Sequence, residues 1–75
     1  MKSIEEGSYW ELRVGVRRSA MVDKVIRVIE LEKGEVFYCY PRISSSVTGS
    51  QSVNNFDRVF RPMTKQEIIK WKLKN

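Results

Sequence analysis

Histidine is absent from this chain of 75 residues, and cysteine occurs once, as Cys39. Without histidine the commonest general base is missing. A single thiol can form no intrachain disulfide, and without histidine beside it no zinc site can be assembled. The four glycines are scattered, so there is no glycine-rich phosphate loop. No apolar run approaches the roughly 20 residues of a membrane-spanning helix. The opening "MKSIEEGSYW" lacks the basic segment and apolar core of a secretory signal. These absences set the first expectations: no enzyme, no cofactor, no metal, no membrane. A lone reduced thiol agrees with a cytoplasmic location.

What is present suits one small domain over residues 1–75. Apolar residues make up 41% and charged residues 31%, the balance of a globular chain rather than a disordered one. The net charge is +5 and is unevenly placed. Residues 1–35 are balanced. Residues 36–75 carry the whole excess, in Arg42, Arg58, Arg61, Lys65, Lys70, Lys72 and Lys74 against Asp57 and Glu67. Such asymmetry suits an anionic partner, and it also serves plain solubility.

The first patterned stretch is "SYWELRV" (8–14). It alternates Trp10, Leu12 and Val14 against Tyr9, Glu11 and Arg13, which predicts a strand. "MVDKVIRVIEL" (21–31) is rich in β-branched residues and predicts a long, bending strand with apolar groups on both faces. "EKGE" and "VFYCY" follow directly, so a tight hairpin is expected at Lys33-Gly34. Cys39 inside that apolar strand reads as a small buried hydrophobe rather than a nucleophile. Glu30, Glu32 and Glu35 read as an exposed acidic turn.

Pro41 offers no N–H to a ladder and ends the strand. Residues 42–52 have loop composition, although Ile43, Val47 and Val53 leave room for a long irregular hairpin. The reading of "RISSSVTGSQSVNNF" is a mobile loop beside a basic surface. "VNNFDRVF" (53–60) is read as a short strand entered through an Asn-Asn turn. After Pro62, Thr64 and Glu67 have capping-box spacing, which predicts a short C-terminal helix. Trp10, Phe37, Phe56, Phe60 and Trp71 are the large candidate core residues.

The expected fold is mostly β: a small curved antiparallel sheet or barrel of four to five strands, with the C-terminal helix capping one open end. "GSYWELR…MVDKVIRVIELEKGEVFYCY…FDRVF" resembles small Tudor- or KOW-type barrels over residues 7–61, and more loosely the short accessory proteins of phages and other mobile elements. The resemblance implies a non-enzymatic accessory module. It lacks the aromatic cage of a methyl-lysine reader, so that activity is not implied.

Two functional readings stand beside each other. In the preferred one, Arg42, Arg58, Arg61, Lys65, Lys70 and Lys72 contact a DNA or RNA backbone, with aromatics interleaved among them. In the alternative, the protein is an adaptor or inhibitor that binds a protein through Arg17, Arg18, Tyr38 and Tyr40. A homo-oligomer formed through a sheet edge is a further expectation.

Overall fold

The computed structural model describes residues 4–15 and 23–74. Arg17 and Arg18 lie outside the described residues. Five strands are present: β1 (Tyr9–Leu12), β2 (Val25–Glu32), β3 (Glu35–Cys39), β4 (Gly49–Ser52) and β5 (Phe60–Pro62). Helix α1 (Val53–Val59) lies between β4 and β5, and α2 (Lys65–Leu73) follows β5. The strands form one antiparallel sheet in the order β4-β3-β2-β1-β5, curled into a half-barrel.

The β2–β3 hairpin forms where expected. Lys33 and Gly34 both take positive φ, 49° and 78°. Two successive positive φ values match the right-handed twist of the flanking strands. A register shift between Val28 and Glu30 bulges β2. Before it, Ile26 and Val28 face the core. After it, Leu31 opposite Val36 packs against that core. The bulge therefore explains why Leu31 reaches the same core as Ile26 and Val28, since one extra residue exchanges the two faces.

The inner core comprises Trp10, Ile26, Val28, Val36, Tyr38, Tyr40, Phe56, Val59 and Phe60. Aromatic edges dominate it. Trp10 meets Phe56 at 5.0 Å, and Phe60 meets Phe56 at 4.9 Å and Tyr38 at 5.6 Å. Burying side chains of this size contributes about 1.5–3 kcal/mol each before chain entropy is counted. Phe37, expected in the core, lies on the opposite phase of β3 and is only half-buried.

Three sequence expectations change here. The segment 53–60 is not a strand: residues 53–59 form α1, and only Phe60 belongs to β5. Ser52 caps α1 by accepting a hydrogen bond from the Asn55 N–H at 3.3 Å. Phe56 and Val59, one turn apart, are the buried face of the helix. Residues 42–52 are not all loop, because Gly49–Ser52 pairs with β3 as an edge strand. Gly49 is needed there because the Tyr38 ring lies against its Cα. The stretch "RISSSVTGSQSVNNF" therefore holds a turn, a strand and the start of a helix in succession.

The third change concerns the helix that covers the sheet. It is α1, not α2, that supplies buried residues to the inner core; α2 has none. Tyr9, Glu11, Val25, Arg27, Cys39 and Arg61 share the opposite, outer phase of the sheet by register. Helix α2 is tied to that outer face.

Candidate functional site

The outer face is where the cations of the second half of the chain meet aromatic rings. Tyr9 points outward because its neighbour Trp10 points into the core. The Trp71 ring from α2 packs on Tyr9 at 5.5 Å, tilted by 55°. Arg42, just past the end of β3, lays its guanidinium 4.5 Å from the centre of the Trp71 ring. Its Nη2 also donates to the Trp71 carbonyl at 2.8 Å, which satisfies an acceptor in the last turn of α2. Lys72 Nζ sits 5.2 Å from the centre of the Tyr9 ring. Two cations and two rings thus alternate across the helix–sheet junction, with attraction from the electron-rich ring faces.

Arg61 fastens the other end of α2. Its guanidinium bonds Glu11 on β1 and takes Glu67 of α2 in a bidentate grip, with Nη2 2.6 Å from one carboxylate oxygen and Nη1 3.2 Å from the other. Glu67 also completes the capping box. It accepts from the Thr64 N–H at 2.9 Å, while Thr64 Oγ1 accepts from the Glu67 N–H at 3.2 Å. The Arg61 bond, with the Thr64 N–H second, lowers the Glu67 carboxyl from the ordinary 4.5 to about 2.

The expected basic surface is therefore only partly assembled. Arg42, Lys65, Lys70 and Lys72 gather around α2, and Lys74 at its C-cap joins them. None of these is in an ion pair among the described residues. Arg61 differs from them: it is already paired with two carboxylates and clamps α2 to β1. Arg58 sits in the last turn of α1 and is exposed. Its neighbourhood is different, since Arg13 donates to the Asp57 carbonyl at 2.9 Å and pairs with the Asp57 carboxylate at 4.0 Å.

The expected tyrosine hot spot does not exist on the surface. Tyr38 and Tyr40 are 5% and 7% exposed, because their strand phase directs them inward. Their rings stack edge-on at 6.3 Å, and the Tyr38 hydroxyl accepts from Gln51 Nε2 at 3.3 Å. Cys39 is buried, and burial pushes its thiol pKa up, against a smaller opposing pull from Arg27. Among the described residues no group of histidine, cysteine or carboxylates is placed to hold a metal ion. No helix among them is long and apolar enough to cross a membrane.

Tyr9 takes part without being among the candidate site residues of the sequence. Its signal was positional: an aromatic on the outward phase of a strand whose inward phase carries tryptophan. The charge map has a second pole. Glu30, Glu32 and Glu35 stand at the hairpin end of β2 and β3, away from the Tyr9–Arg27–Cys39 row that lies nearest α2. The chain matches no family model, no curated protein and no solved structure.

Proposed function

We propose that the protein is a non-enzymatic accessory or regulatory module of the cytoplasm that binds the phosphate backbone of DNA or RNA through the α2 side of its outer face. The observation that carries this reading is the pair of cations held on aromatic rings, Arg42 on Trp71 and Lys72 on Tyr9, with no carboxylate partner for either among the described residues. A guanidinium lying on an indole keeps N–H donors directed away from its carbonyl contact, and these can meet a phosphate oxygen. Holding the side chain in place beforehand reduces the ordering cost of binding. Lys65, Lys70 and Lys74 extend the positive field along the same helix.

A mobility-shift titration with single- and double-stranded DNA and RNA tests this at two salt concentrations. Removing one cation that neutralises a phosphate should flatten the log–log salt slope by about 0.7–0.9. Arg42→Ala with Lys72→Ala is expected to weaken binding and flatten the slope, whereas Arg58→Ala should do less. Absence of binding to every probe at low salt would refute the proposal.

A further inference from the structure

Helix α2 turns its polar and aromatic side to the sheet and leaves aliphatic side chains in solvent. Ile69 is 51% and Leu73 77% exposed, four residues apart and hence on one face of the helix. The segment between β3 and β4 does the same with Ile43, 57% exposed, and Val47, 51% exposed. Arg42 pins these two segments together, because it belongs to the segment after β3 and bonds the last turn of α2. Among the described residues, four of the six exposed large aliphatic residues thus lie on two segments that Arg42 joins. Scattered exposed aliphatics need no explanation, but a group of them rimmed by charge marks an interaction surface.

We infer that this patch docks a segment of a partner protein that carries aliphatic anchors among acidic residues. The rim decides the chemistry. By helical spacing Lys65 and Lys72 neighbour Ile69 and Lys70 neighbours Leu73, Arg42 directly precedes Ile43, and the carboxylate on α2, Glu67, is consumed by Arg61. An acidic flank on the partner complements that rim and speeds encounter, while the aliphatic anchors supply desolvation. A second copy meeting patch to patch would bring two sets of these cations together. A lipid surface fits less well, because Trp71, the residue suited to a membrane interface, is turned inward onto Tyr9 and covered by Arg42. The inference does not rest on the nucleic-acid reading, although the two sites share lysines.

The test uses the full chain and two fluorescein-labelled synthetic peptides. One is a helical peptide with a leucine stripe flanked by glutamates. The other has the same composition scrambled so that the leucines are dispersed. The striped peptide should bind at least about tenfold tighter than the scrambled one. Ile69→Ser with Leu73→Ser should remove that preference, with circular dichroism and nucleic-acid affinity unchanged. Ile43→Ser is the second variant, should the double change disturb α2. Four results would overturn the inference: no binding of the striped peptide, equal binding of the two peptides, binding unaffected by all three substitutions, or self-association or anionic-vesicle binding abolished by the same substitutions. Failure of nucleic-acid binding in the parallel titration would leave the peptide result standing.

Discussion

Adding one methyl group at Gly49 probes the tightest packing described. A Cβ there would lie 2.8 Å from Tyr38 Cζ and from its hydroxyl oxygen, and 2.9 Å from Cε1. Real Cβ contacts are not this short, so the ring or the strand must move. The ring has little room, being 5% exposed, set against Phe60 at 5.6 Å and Phe56 at 6.2 Å, and joined through its hydroxyl to Gln51. Overpacking of this kind costs about 1–3 kcal/mol. Replacing glycine by alanine offsets about 0.4–1 kcal/mol by restricting the unfolded chain. Gly49→Ala should therefore lose about 1–2 kcal/mol net, a fall in Tm of roughly 4–16 °C for a domain of this size. Urea and thermal denaturation followed by circular dichroism measure it. Tyr38→Leu should make room, so the double variant should lose less than the sum of the two single changes. An unchanged or raised Tm for Gly49→Ala, or strict additivity with Tyr38→Leu, would refute the reasoning.

Gly34→Val should cost about 1–2 kcal/mol by backbone strain alone, since nothing crowds a Cβ at that position and φ is 78°; Gly34→Asn should cost less, as denaturation midpoints would show. Trp10→Ala should cost about 3–5 kcal/mol, and Trp71→Ala clearly less, because Trp10 is 1% exposed and Trp71 only half-buried. Glu67 has a lowered pKa, so its contribution is complete above its ordinary 4.5 and fades as pH falls through about 2. Trp71 emission in a Trp10→Phe background should therefore shift toward that of exposed indole across this window, and Glu67→Gln should flatten the change. Cys39 should react slowly with thiol reagents at neutral pH until the protein unfolds, because burial both shields it and disfavours its thiolate.

Features encoded by adjacent residues were legible in the sequence. Lys33-Gly34 announces its hairpin, and Thr64 with Glu67 announces its helix, because each device closes within a few residues. Helix α1 was not legible. Val53, Asn54, Asn55 and Val59 are weak helix formers, and the helix exists because Phe56 and Val59 find the core. Its local signals were the Ser52 cap and the one-turn spacing of those two side chains. Strand β4 is "GSQS", with no apolar pattern. Pairing with β3 makes it a strand, Gly49 fits beneath Tyr38, and Gln51 bonds both Tyr38 and Asn55. The site divides the same way. Charge asymmetry pointed to the second half of the chain, but Arg61 becomes a clamp through Glu67 together with Glu11, fifty residues away, whereas Arg42 has no carboxylate partner among the described residues.

The return of β5 to the side of β1 bears on how the chain folds as well as on what it binds. Leu12 pairs with Phe60 and Trp10 with Pro62, so the first strand waits for nearly the last before its outer edge is satisfied. The β2–β3 hairpin closes over a few residues and can form early, whereas the β1–β5 ladder is among the most distant pairings and pays the largest loop-closure entropy. Until it forms, β1 presents an unpaired edge beside exposed aromatics, the state most open to misassembly. Phe60→Ala should therefore act mainly on the late part of folding, speeding unfolding more than it slows the first steps of collapse, whereas changes at Lys33-Gly34 should be felt in the refolding rate.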